Sequence, residues 1–208
     1  AGLTPFEGKH MKILLVGASG LIGSGVATAL SANHEVVGAS RSGDIKVDLN
    51  DPSTITSMFE QVGTIDAIVS CAGHVPFNTL PELTRDDFIH GLTDKALGQI
   101  ELVRQGLSRV SDGGSITLIS GVLARTPIKT GAVAAAANGA LEGFVTAAAI
   151  EMPRGLRINC VSPTVLAEAK GFHPYFPGYP QVTLKQVTDA FVRSVEGWEN
   201  GTIFKLDN

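Results

Sequence analysis

Apolar residues along this chain come in short unbroken runs, separated by stretches with helical spacing. Lys12–Val16 (KILLV) is the first such run and ends at Gly17. Gly20–Ala32 follows, with Ile22, Val26, Ala29 and Leu30 at helical intervals. The next strands are predicted at Glu35–Ala39 and Ile45–Asp48. Asp51-Pro52 reads as an N-cap followed by Pro at the first helical position, opening a helix to Val62. A fourth strand is predicted at Ile65–Ser70, and Thr84-x-x-Asp87 has the form of a capping box opening a long helix to Val110. Strand Ser115–Ser120, an Ala-rich helix over Gly131–Ile150 and strand Leu156–Val161 come next. A loop rich in Pro and aromatics, helix Thr183–Val195 and strand Thr202–Leu206 complete the chain.

Strands that are apolar throughout and alternate with helices belong to a parallel sheet covered on both faces. Right-handed crossovers then give an α/β fold, a doubly wound parallel sheet of seven strands. Its ligand belongs beyond the carboxyl ends of the strands. The loops beginning at Gly17, Ser40, Asp48, Cys71, Ser120 and Ser162 therefore hold the chemistry.

Composition narrows the function classes. At 208 residues the chain matches one domain, and 44% hydrophobic residues are enough for a full core. We read 11–208 as that domain and 1–10, which lack the apolar core of a signal peptide, as a leader or expression remnant. A net charge of −4 argues against a basic nucleic-acid face. No apolar run is long enough for a membrane helix. Cys71 and Cys160 form no C-x-x-C pair, so neither a disulfide framework nor a Cys-rich metal site is expected. Two buried thiols suit a reducing, cytoplasmic compartment.

Gly17-x-x-Gly20-x-x-Gly23 joins the first strand to the first helix. Gly17 would make the sharp turn, Gly20 would admit a pyrophosphate and Gly23 would let the helix close on the sheet. The backbone N–H groups at that helix start, through Ser19, Leu21 and Ile22, would meet the phosphates. After the second strand, the place where a carboxylate would bind a ribose 2′-hydroxyl reads Ser40-Arg41-Ser42. A guanidinium beside hydroxyls suits a 2′-phosphate, so NADP(H) is expected.

From Met11 onward these features make the chain resemble the short-chain dehydrogenase/reductase family. Asp48-Leu49 looks like its adenine-contacting pair, and Ser70-Cys71-Ala72-Gly73 like its N-N-A-G with both Asn replaced. Arg157-Ile158-Asn159-Cys160-Val161-Ser162-Pro163 resembles R-x-N-x-V-x-P-G, with Thr164 for the Gly and Val165 offering backbone to a nicotinamide. The resemblance implies a Rossmann-type fold and an NADP-dependent reductase of a small carbonyl, or dehydrogenase of an alcohol. It also implies a lid over 164–182 and a homodimer through the long helix and the Ala-rich helix, or a tetramer built from it.

The family's catalytic Asn, Ser, Tyr and Lys are not matched. The Tyr and Lys of Y-x-x-x-K fall on Ala134 and Asn138, the Ser on Gly121 and the Asn on Lys95. A shift of one residue would restore Ser120. We expect Ser120, Lys95 and Asn138 to form the site, with Asn138 accepting from the Lys95 ammonium and Lys95, or a water it holds, supplying a proton. His74 is an outside candidate for that donor. Glu142 and Glu151 read as solvated faces of the Ala-rich helix. The alternative function is a non-catalytic NADP(H)-binding sensor.

Overall fold

In a computed structural model, residues 8–207 are described, and residues 1–7 of the expected leader lie outside them. Seven parallel strands form one sheet in the order β3-β2-β1-β4-β5-β6-β7. They are β1 Lys12–Val16, β2 Glu35–Ser40, β3 Ile45–Lys46, β4 Ile65–Ser70, β5 Val110–Ile119, β6 Arg157–Pro163 and β7 Ile203–Leu206. The order reverses between β1 and β4, which places the switch point beside the Gly17 loop.

Two apolar layers cover the sheet. Helices α1 (Leu21–Leu30) and α6 (Leu184–Glu196) pack together on one face, where Ile13, Leu15, Val26, Val69 and Phe191 form the core. Helices α2 (Pro52–Val62), α4 (Gly98–Gly106) and α5 (Ala132–Ala148) lie on the other, around Leu14, Phe59, Ile68, Leu102, Ile116 and Leu141. The Asp51 carboxylate caps α2 through Ser53 N–H, and Thr84 and Asp87 cap α3 (Arg85–Gly91) reciprocally.

The predicted helix over 84–110 is three pieces. Helix α3 gives way to a π-helical turn at Leu92–Leu97, and α4 ends at Gly106. The chain must leave the helix there because Arg109 O accepts from Ile65 N–H and Val110 enters the sheet. Strand β5 therefore starts at Val110, five residues before the predicted Ser115. A register shift opposite Ile65–Ala67 absorbs Ser111–Gly114. Periodicity could not show either feature, since a π turn keeps the apolar face and a bulge hides in a polar stretch.

Candidate functional site

The loops at the carboxyl ends of the strands enclose a cleft of about 760 Å³. That is within the size range of small-molecule sites. At its centre Gly17 turns with φ +84°, in the region that favours glycine. A Cβ there would meet the Cys71 carbonyl carbon at 2.9 Å, so the first loop and the loop after β4 touch through backbone. Helix α1 starts at Gly20 with no side-chain cap, leaving its first N–H groups to the cleft. A Cβ on Gly20 would have only an ordinary contact, 3.6 Å from Gly17 O. Nothing inside the chain demands a glycine at 20, whereas the open space beside it lies in the cleft. Gly17, Ser19, Gly20, Leu21 and Ile22 line the cleft. Gly23 lies behind it, where its Cβ would fall 2.0 Å from Gly17 O.

Arg41 and Ser42 line the end next to β2. Among the described residues Arg41 is in no ion pair, so its guanidinium is free for an anion. Asp48 and Leu49 line the adjoining wall, and the Asp48 carboxylate accepts from Asn50 N–H at 3.0 Å. Cys71, Ala72 and Gly73 form the floor, and Pro163 and Val165 the far side. The Val165 carbonyl already accepts from Val182 N–H.

The π-helical turn carries Asp94 and Lys95 into the cleft. The Asp94 carboxylate accepts from His74 N–H and from the Asn50 amide, both at 2.9 Å, tying together the loops after β3 and β4. Sequence reasoning missed Asp94, because its partners lie 20 and 44 positions away. His74 stands at the rim with its side chain 75% exposed. Gly73, at φ +124°, passes so close that a Cβ would lie 3.0 Å from Lys95 Cα. Burial pushes the pKa of the Lys95 ammonium below the usual lysine value.

The π turn packs against α5, which brings Lys95 and Asn138 into one cleft. The expected bond between them is not made. Asn138 Oδ1 is buried with no hydrogen-bond partner among the described residues. Ser120 also lines the cleft, yet its hydroxyl donates to Glu142 Oε1 at 2.8 Å. Gly121 is the residue that faces Asn138, since its Cβ would lie 3.1 Å from Asn138 Nδ2.

Glu142 is not a solvated face. It takes the Ser120 and Ser162 hydroxyls (2.8 and 2.6 Å) and lies 3.5 Å from Arg125 Nη1, with Arg125 also paired to Asp207. One turn of α5 past Asn138, it points back under β5 and β6, which helical spacing alone does not reveal. Both thiols are free: β5 lies between β4, which Cys71 follows, and β6, which carries Cys160. Burial raises both, Cys160 to about 12.

The 164–182 segment is pinned at its base by Ala167 N–H to Val182 O and by Thr164 Oγ1 to Pro180 O. Phe172 and Phe176 line the cleft, with Val75, Phe77, Leu123 and Leu166 beside them. Tyr179 stands edge-on to Phe176 and donates to Pro127 O at 2.6 Å. Among the described residues no helix is long and apolar enough to cross a membrane, and no cluster of metal-ligating side chains occurs.

Comparison with known proteins agrees with this geometry. A family model described as enoyl-(acyl carrier protein) reductase matches residues 19–184. The chain is similar to versicolorin reductase stcU of Emericella nidulans, 29% identical over 57% of this chain and 47% of that protein. It is similar to tetrahydroxynaphthalene reductase PfmaG of Pestalotiopsis fici, 26% identical over 91% and 78% of the two chains. Its matches to the first of these curated relatives span about half to three fifths of their length. Among solved structures, lin1944 from Listeria innocua is 45% identical with a TM-score of 0.92, covering 94% of this chain and 98% of that one. A small-chain dehydrogenase solved in complex with NADPH, 23% identical over 96% and 97% of the two chains, shares the fold at a TM-score of 0.86. With the strand order, the glycine cradle at its switch point and a family match over most of its length, this chain belongs to the short-chain dehydrogenase/reductase family.

Proposed function

We propose that the chain is an NADP(H)-dependent oxidoreductase that moves hydride to or from a small carbonyl or alcohol, with catalytic residues other than the family's Tyr and Lys. The observation that carries it is the cleft: open space beside Gly20, an uncapped helix start and an unpaired Arg41 lie along one continuous wall. Versicolorin and tetrahydroxynaphthalene reductases among the relatives, and the NADPH complex of a structural neighbour, support the same reading.

The residues present fit the cofactor. Gly17 to Ile22 would hold the pyrophosphate on backbone N–H groups, with Gly23 setting the helix behind them. Arg41 and Ser42 would take the 2′-phosphate, and Asp48 and Leu49 the adenine. Cys71, Ala72, Gly73, Pro163 and Val165 would flank the nicotinamide, which when bound supplies or accepts the hydride. Lys95 and Asn138 would meet the substrate oxygen, and Ser120, held by Glu142, would shape the wall behind them. The exposed small residues Ala136, Gly139, Ala140 and Gly143 on α5 leave room for a second copy of the chain, in keeping with a homodimer.

The test is rapid mixing with NADPH and a panel of carbonyl compounds. Substrate-dependent NADPH oxidation is expected. One observation favours the second reading, a sensor without turnover: Ala134 stands where the family has Tyr, and neither Tyr175 nor Tyr179 lines the cleft. Saturable NADPH binding with no oxidation across the panel would establish the sensor instead.

A further inference from the structure

Two polar side chains that line the cleft, Lys95 and Asn138, make no side-chain hydrogen bond or ion pair among the described residues. Asn138 is 4% exposed and its Oδ1 is an orphaned acceptor. No carboxylate among the described residues pairs with the Lys95 ammonium. Its neighbour Asp94 commits its carboxylate to His74 N–H and the Asn50 amide. Glu142 takes the Ser120 and Ser162 hydroxyls instead. Burial keeps Cys71 and Cys160 as neutral thiols. The same cleft is lined by the apolar side chains of Phe77, Leu123, Phe172 and Phe176.

The number of unused donors narrows what this wall can hold. An ammonium carries three donors and an amide nitrogen two, while a carbonyl oxygen has two lone pairs. A lone ketone oxygen leaves most of these donors unmet and brings no charge to offset the ammonium. A carboxylate brings the charge and two more acceptor oxygens. An oxygen on the carbon bonded to the carboxyl carbon lies close enough for the same ammonium to reach both groups. Where that oxygen is a hydroxyl, it also supplies the donor that Asn138 Oδ1 lacks, since the flat amide can present either end.

We propose that Lys95 and Asn138 form a carboxylate subsite, and that the cleft takes 2-hydroxy or 2-oxo acids with an aromatic body. The proposal rests on the reading above that Lys95 and Asn138 meet a substrate oxygen, and it names the molecule that carries that oxygen. The Lys95 ammonium holds the carboxylate together with the oxygen on the neighbouring carbon, and the Asn138 amide takes that second oxygen. Phe77, Leu123, Phe172 and Phe176 receive the ring. Arg41 lies at the end of the cleft next to β2 and Lys95 on the π turn, so a cofactor phosphate and a substrate carboxylate meet different cations.

The probe is mandelate, a 2-hydroxy acid on a phenyl ring, titrated by calorimetry into the wild-type protein with and without saturating NADP⁺. The control ligand is 1-phenylethane-1,2-diol, which keeps the ring and the hydroxyl and replaces the carboxylate by a hydroxymethyl group. Mandelate should bind under both conditions, at least about tenfold tighter than the diol. In Lys95→Met and in the similar-sized Lys95→Gln, mandelate affinity should drop about tenfold or more, with diol binding nearly unchanged. Asn138→Ala should weaken both ligands, since both carry the hydroxyl. Thermal melting of each variant separates lost binding from lost folding, and the wild-type comparison needs no variant. Equal affinity for the two ligands, no binding of mandelate, its displacement by NADP⁺, or undiminished mandelate binding in a folded Lys95→Met would overturn the proposal. NADPH titrated by its own fluorescence reports separately on the cofactor reading. NADPH bound without a preference for mandelate sinks only this inference, whereas mandelate preferred without NADPH binding sinks the cofactor reading and leaves the subsite standing.

Discussion

The carbonyl oxygen of Gly17 occupies the place where a side chain on Gly23 would begin: a Cβ on Gly23 falls 2.0 Å from it. Helix α1 can lie against the phosphate-type loop only because residue 23 ends at Cα. Gly20, three residues earlier, has no such conflict. The two glycines of one motif therefore do different work, one inside the fold and one toward the cleft.

That difference predicts opposite outcomes for two single-methyl changes. Gly23→Ala should destabilise the fold by about 1–3 kcal/mol through overpacking. Gly20→Ala should change stability by less than about 1 kcal/mol while weakening NADPH binding. Urea denaturation and NADPH titration of both variants check the pair. Equal destabilisation would remove the distinction.

Arg41 should discriminate between the two nicotinamide dinucleotides. Losing a charge-assisted contact to a 2′-phosphate costs about 1.5–3 kcal/mol, so NADPH affinity in Arg41→Ala should fall by at least about tenfold. NADH affinity should be nearly unchanged. A calorimetric comparison of both cofactors on both proteins measures it.

The Glu142 carboxylate joins β5, β6 and Arg125 behind the cleft. Glu142→Ala leaves the Ser120 and Ser162 hydroxyls without their acceptor, and should cost about 1–3 kcal/mol in denaturant unfolding. A change below about 0.5 kcal/mol would mean water replaces the carboxylate at no cost.

Fold and cofactor loops were legible because their signals are local. KILLV followed by Gly17 and Gly20, or Asp51 before Pro52, places a strand end or a helix start within a few residues. Asp94, Glu142 and the π turn were not legible. Each acts through partners on other elements, and a carboxylate on a helix reads the same whether it meets water or two serine hydroxyls. That Ala134 stands at the position the resemblance gives to Tyr was plain in the sequence. That Lys95 and Asn138 share the cleft unpaired, and that the Ser120 hydroxyl donates to Glu142, required the geometry.

Acid stability should carry a contribution from Glu101. Its carboxylate accepts from Arg104 and Gln105, and these hold its pKa down to about 2 from an ordinary 4.5. A pKa depressed in the folded state gives stability present above about pH 4.5 and lost as pH falls toward about 2. Glu101→Gln should flatten that part of the profile. Because Arg104 is 70% exposed, the amplitude should stay below about 1 kcal/mol and shrink in salt. An unchanged acid profile would contradict the assignment.

Cys71 and Cys160 should remain thiols. Strand β5 lies between β4, which Cys71 follows, and β6, which carries Cys160, and burial raises both pKa values, which suppresses the thiolate. Native protein should react slowly with an aromatic disulfide reagent and rapidly once unfolded. A native mass lower by two hydrogens, mapped to this pair, would refute the prediction.

The cleft at the switch point is proposed above as an NADP(H) site. Titrating the wild-type protein with NADPH and with NADH, following nicotinamide fluorescence, tests it most directly. Saturable binding of one NADPH per chain, at least about tenfold tighter than NADH, is expected. Equal affinity for the two, or no saturable binding of either, would contradict it.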